Sequence, residues 1–247
     1  MKIKILLTGA GLLAVSGFVQ AESQVTVHAL TTGKTLTIEH AQNLAQLVTV
    51  ADLPKHVWWP GAVIAEPQAT AVAQQQYQQT LRDLNRWAAT EDGDQAASIR
   101  TVIQQLQAIK VTGRQFVALD PDQVRTRDDN NPRLEGRYSL WLPAYPTTVT
   151  LLGAIEGTGK TSWQAGRSVR DYLASHERLT GADRNIAVVI HPDGSTQQAP
   201  VAYWNHRHVE PEPGSIIWVG FSSWAVPGEF EKINQQIVSV LTHRIPD

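Results

Sequence analysis

The 247-residue chain has no cysteine, a single methionine and only 7% Phe, Trp and Tyr. Without cysteine it has no disulfide staples, no thiol nucleophile, no thiolate-ligated zinc and no lipid-modified N-terminal cysteine. It also lacks a basic excess: 21 Lys and Arg stand against 23 Asp and Glu, formally −2. A whole-molecule field for nucleic acid is therefore missing. Past the N-terminus no apolar run reaches the roughly 20 residues that a membrane-spanning helix needs. What remains, 42% hydrophobic and 18% charged, is the composition of a folded protein with chain enough for a real core.

Lys2 and Lys4 precede the apolar run Ile5 to Val19, and Val19-Gln20-Ala21 puts small residues where a signal peptidase reads them. Residues 1–21 are thus expected to be a cleaved secretory signal, with the product periplasmic and beginning at Glu22. Removing them takes away two lysines and no acid, leaving 19 basic and 23 acidic side chains.

The rest contains a duplication. Thr32-Gly33-Lys34-Thr35 recurs 126 positions later as Thr158-Gly159-Lys160-Thr161, and at that offset Leu47 meets Leu173 and Ala62-Val63-Ile64 meets Val188-Val189-Ile190. Each unit reads as a β-branched strand, a Thr-Gly-Lys turn, a second strand, a short helix and further strands. In the second helix Ser168 and Asp171 stand at capping-box spacing. Two strands, one helix and two more strands make a small mixed sheet packed on a helix, the β-grasp arrangement. The expected fold is α+β: two tandem β-grasp domains, residues 22–145 and 146–223, and a C-terminal amphipathic helix within 224–247.

The copies differ in one place. Ile64 to Gly136 spans 72 positions, whereas Ile190 to Gly214 spans 24. The excess, about residues 67–110, has helical periodicity in Ala73, Tyr77, Leu81, Leu84 and Ala88, and again in Ile99, Val102, Ile103 and Leu106. It reads as a helical hairpin inserted in the first domain, with Asp92 and Gln95 at capping-box spacing and the covering of its own sheet as its ordinary role. In the tail, Phe230, Ile233, Ile237, Val240 and Leu241 share one helical face. That face either packs on its own domain or meets a partner, in which case Phe230, Ile233, Ile237 and Leu241 make the contact.

Few motifs carry chemistry. Ala154 to Thr161 matches a relaxed phosphate loop, but Ser162 to Gly166 intervene before the capping box, so its amides do not run into a helix N-terminus; it reads as a hairpin turn. His206, His208 and His191 lack a carboxylate at ligand spacing, so no metal and no cofactor is expected. No nucleophile elbow or zinc-protease helix is present, and no catalytic residue is assigned. The acid pairs Glu210/Glu212 and Asp120/Asp122 lie in Pro-rich turns, where solvated carboxylates are ordinary. Among eight tryptophans, Trp141 and Trp218 lie in strands and are expected in the core. Trp58 and Trp59 are adjacent, so one ring is free to face outward and stack on a sugar ring. Arg114 follows Gly113 where the hairpin returns to the sheet; a guanidinium there suits a carboxylate or phosphate, or a surface ion pair.

The two units, the insertion, Val111-Thr112-Gly113-Arg114, Gly166-Arg167-Ser168-Val169-Arg170-Asp171-Tyr172-Leu173 and the amphipathic tail together resemble the GfcC family of capsule-biosynthesis proteins. The strand end Ile190-His191-Pro192-Asp193-Gly194 and the closing Pro213-Gly214-Ser215-Ile216-Ile217 are similar to the β-grasp repeats of Wza-type polysaccharide export proteins. The resemblance implies a non-enzymatic periplasmic accessory of polysaccharide assembly or export, of the group 4 (O-antigen capsule) type. Its implied partners are a polysaccharide, acidic if Arg114 binds it, and an outer-membrane polysaccharide export protein. Alternatives are an enzyme that modifies or cleaves the nascent glycan and a structural adaptor without a ligand.

Overall fold

The computed structural model describes residues 23–127, 129 and 131–246; the expected signal, residues 1–21, lies outside them. The first sheet has strands β1 (Gln24–Ala29), β2 (Lys34–Glu39), β3 (Val63–Ala65) and β4 (Arg137–Leu142), in the order β2-β1-β4-β3. Strands β1 and β4 are parallel and the other pairs antiparallel. Helix α1 (Leu44–Val48) crosses between β2 and β3, capped by the Asn43 side chain, which accepts from Gln46 N at 2.9 Å.

The second sheet repeats the plan with β5 (Thr148–Gly153), β6 (Gly159–Ser162), β7 (Ile186–Ile190), β8 (Thr196–Pro200) and β9 (Ile216–Val219), in the order β6-β5-β9-β7-β8. Here β5 and β9 are the parallel pair. Strand β8 is an added edge. The two Thr-Gly-Lys segments enter β2 and β6 after equivalent hairpin turns, and neither runs into a helix. Helix α5 (Val169–Leu173), the counterpart of α1, starts in the expected capping box: Asp171 N donates to Ser168 Oγ at 3.2 Å, and Ser168 N donates to the Asp171 carboxylate at 3.1 Å. Those bonds hold the Asp171 carboxyl below the usual carboxylate range, with the Ser168 side chain the larger cause.

The hairpin is α2 (Pro67–Thr90) and α3 (Gly93–Gln107). Asp92 is the N-cap of α3, but its side chain makes no cap hydrogen bond. The larger departure from expectation is where the hairpin packs. Leu84, Trp87, Ile99, Val102 and Leu106 belong to one apolar cluster with Val149, Leu151, Trp218 and Phe221 of the second sheet unit. Inserted in the first domain, the hairpin covers the second. The Gln105 amide clasps the backbone of β5, donating to Gly153 O at 3.0 Å and accepting from Gly153 N at 2.7 Å.

Helix α6 (Ile233–Thr242) joins the same cluster through Ile233, Ile237 and Leu241, after a 3-10 turn that buries Phe230. Trp87 lies against Phe221 and Phe230, with ring centroids 4.7 and 6.1 Å apart. All four residues considered for partner contact are interior: Phe230 is 5% exposed and Ile233, Ile237 and Leu241 at most 1%. The chain end is tied down as well, Thr112 N donating to His243 O and Ile245 N to Lys110 O.

A short helix, α4 (Pro121–Thr126), completes the core of the first unit, where Val124 and Leu119 join Val27, Leu44, Leu47, Ile64 and Leu140. That core occupies one face of the first sheet.

Candidate functional site

On β4, Leu140 and Leu142 point into the core, so Trp141 between them points the other way. Trp141 is therefore half-buried on the opposite face, stacked on His28 of β1 at 5.2 Å, rather than in the core as expected. Trp218, by contrast, is 1% exposed and interior.

The opposite face of the first sheet forms one wall of a cleft of about 510 Å³. The other walls come from β5, β6, β9, the end of α3 and the tail, so the site lies between the two sheet units. Trp58 and Trp141 supply indoles, and Lys110, Arg114, Lys160 and Arg244 supply four cationic side chains. Among the described residues that line it there is no Asp or Glu. Tyr145, 61% exposed, meets Trp58 edge-on at 5.8 Å.

Two glycines allow this geometry by close approach. A Cβ on Gly61 would stand 2.3 Å from the Trp58 ring, so only glycine lets that indole lie across the 3-10 turn Trp59–Gly61. A Cβ on Gly113 would stand 2.1 Å from Thr70 N, so only glycine lets the returning strand run against the first turn of α2. There Gly113 N donates to Thr70 Oγ1 at 2.9 Å, and Gln115 N donates to Ile64 O at 2.8 Å. The return is thus stitched beside β3, and Arg114 is held by backbone on both sides.

Arg114 is 6% exposed. Its Nη2 donates to Pro192 O at 2.5 Å and its Nη1 to Thr242 O, at the C-terminus of α6, at 3.5 Å. A cation suits that helix end, where unpaired carbonyls concentrate negative charge. Burial lowers its pKa to about 10, partly offset by Asp193, so the guanidinium stays charged at neutral pH. Arg114 therefore joins the first domain, the turn after β7 and α6, and it adds positive charge to the cleft wall.

Trp58 and Trp59 diverge, both half-buried. Trp58 lines the interdomain cleft, while Trp59 packs on the first core and lines another cleft of about 380 Å³ with Phe116, Asp120, Asp193 and Gln123. Arg114 lines both. One acid of each pair has a structural partner: Asp120 caps α4, accepting from Asp122 N at 2.9 Å, and Glu210 accepts from Gly166 N at 2.7 Å. His191 stands 3.8 Å from the Glu212 carboxylate, while His206 bonds the carbonyl of Tyr203. No group of three His, Asp or Glu among the described residues could hold a metal ion.

Sequence reasoning missed Lys110, Lys160 and Arg244, which come from a helix end, a strand and the tail. It also placed Trp141 in the core, although the alternation Leu140-Trp141-Leu142 already put the indole opposite the two leucines.

Fold and cleft together define a protein of two β-grasp units that share a basic, aromatic-walled groove. The family model for the N-terminal region of capsule-biosynthesis GfcC matches residues 21–144, and that for its C-terminal region matches residues 157–246. The chain belongs to the GfcC capsule-biosynthesis family. It is also 49% identical over 210 residues to YjbG of Escherichia coli K12, a protein described as uncharacterized, with 85% of each chain covered. Membership supports a role in capsule assembly.

Proposed function

We propose that this protein is a non-enzymatic periplasmic accessory of capsule assembly, and that its interdomain cleft holds an acidic stretch of the polysaccharide. One observation carries the reading: four cationic side chains and two indoles line a groove whose described lining has no carboxylate. Indole faces stack on the apolar faces of sugar rings, and fixed cations recognise the carboxylates of acidic sugars. Both engage through contact, and neither needs a nucleophile. An outer-membrane export protein enters this proposal as the receiver of the glycan, not through the buried face of α6.

The test is a fluorescence titration of the protein with acidic capsule oligosaccharide beside a neutral one. The acidic chain should bind, more weakly as salt rises. Replacing Lys110 and Lys160 by Gln should weaken binding by about tenfold or more, and Trp141→Ala should do likewise. Equal affinity for both oligosaccharides, or affinity unchanged in these variants, would remove the cleft from the proposal. Product analysis of the same mixture tests the rival: shortened or altered glycan would make the protein an enzyme.

A further inference from the structure

Three large aromatic side chains stand almost fully in solvent, away from the clefts described above: Tyr203 at 86%, Trp204 at 76% and Trp224 at 79% exposed. The topology of the second sheet brings them to one end. Pro200, the last residue of β8, pairs with Ile186, the first of β7, and Val201 N continues that contact to Asn185 O at 2.9 Å. On the other side of β7, Asp183 N donates to Gly220 O at 2.8 Å and Ala182 bridges to Phe221, just past the end of β9. The segments carrying Tyr203-Trp204 and Trp224 therefore leave the sheet at the same end and flank residues 182–185.

The first of these segments is a braced turn. Ala202 N donates to Asn205 Oδ1 at 3.0 Å, Asn205 Nδ2 reaches Asn185 O at 3.4 Å, and Arg207 N returns to Pro200 O at 3.2 Å. With its base so tied, the turn projects two neighbouring rings outward.

The surrounding charge is mostly of one sign. Arg184, His206, Arg207 and His208 are exposed, and no acid occurs between Asp193 and Glu210. The acids that face the patch are engaged or set apart. Asp183 Oδ1 accepts from the Asn185 and Ile186 amides, and Asp171, which feels His208 and Arg167, sits in its capping box. Glu229 lies beyond Trp224, in the turn before α6.

We propose that this end of the second sheet is a docking surface for an anionic phospholipid bilayer. Tyr and Trp combine an apolar body with a polar tip, which matches the headgroup boundary, and arginines beside them match lipid phosphates. A protein interface gathers its aromatic anchors in one closely packed, desolvated core. Here exposed Arg184 and Asn185 lie between the Tyr203-Trp204 turn and the segment carrying Trp224, and a fluid interface accommodates separate rings. The attachment is peripheral: no helix among the described residues is long and apolar enough to cross a membrane. It uses none of the residues of the interdomain cleft, so either proposal can fail alone.

The experiment uses protein beginning at Glu22, since the apolar N-terminal run would bind lipid by itself and every described element lies beyond it. It is sedimented with phosphatidylcholine vesicles, with and without phosphatidylglycerol. Vesicles containing phosphatidylglycerol should carry the protein down. The double variant Tyr203→Ser/Trp204→Ser should lose about tenfold in partitioning and Trp224→Ser a few-fold, while Arg184→Gln/Arg207→Gln should abolish the preference for the anionic lipid. All these sites are exposed, so melting temperatures should stay unchanged. Absence of wild-type sedimentation, or equal sedimentation of wild type and the Tyr203/Trp204 variant, overturns the proposal. Oligosaccharide binding that requires Trp204 without any vesicle binding also overturns it and gives the patch to sugar.

Discussion

The two sheets share a strand plan yet differ in what covers them. Strand β9 buries Ile216, Ile217, Trp218 and Val219 in succession, and because neighbouring strand residues point to opposite faces, both sides of the second sheet are covered there. Strand β4, its counterpart, buries Leu140 and Leu142 but leaves Trp141 half-exposed. The first unit's own hairpin and the tail helix went to the second sheet. Both sheets wall the cleft, but only in the first does the central strand leave a residue, Trp141, half-exposed to it. Duplication followed by unequal covering thus leaves a cleft between the two copies.

Paired tryptophan truncations test this asymmetry most severely. Trp87→Ala, at the hairpin–second-sheet contact, should cost about 3–5 kcal/mol in chemical denaturation. Trp141→Ala, on the open face, should cost only about 1 kcal/mol. Similar costs at both sites would mean that the face of β4 carrying Trp141 is covered as fully as the hairpin contact. Next comes Gly113→Ala, whose Cβ meets the backbone of α2; it should cost about 1–3 kcal/mol and, by displacing Arg114, weaken acidic-glycan binding. Unchanged stability would show that the return strand has slack.

The smallest effect concerns the helices that the two units do share. Ser168→Ala removes the capping box of α5 and should cost about 1 kcal/mol by thermal or urea unfolding. Because Asp171 titrates below the usual carboxylate range in the folded state, its contribution is present above the unfolded value. It is lost as pH falls through the folded value. The variant should therefore show a shallower acid limb in a stability–pH profile, and an identical limb would mean that the cap does not stabilise the fold.

The repeat was legible because its signals are local. The Thr-Gly-Lys turns, the Ser168 cap and the periodicity of the hairpin depend on neighbours within a few residues, and each occurs where the spacing indicated. The amphipathic tail was legible in the same way, and its face is apolar as read. What that face touches was not legible. Ile233 and Ile237 would make the same pattern against a partner as against the second sheet, since periodicity reports that a stripe is buried and not by what. The cleft escaped for a related reason. Lys110, Lys160 and Arg244 converge from positions 50 and 84 apart along the chain, which no short motif records.

The amino-acid order by itself determined the duplicated α+β plan, the helical insertion and the apolar tail, because hydrogen-bonded turns, caps and side-chain periods are set over a few residues. Only the tertiary structure decided that the insertion of one copy covers the other, that Arg114 is buried on backbone carbonyls, and that indoles and cations meet between the sheets. Those outcomes depend on which apolar faces find each other in three dimensions. That choice is made by the free energy of the whole packed chain.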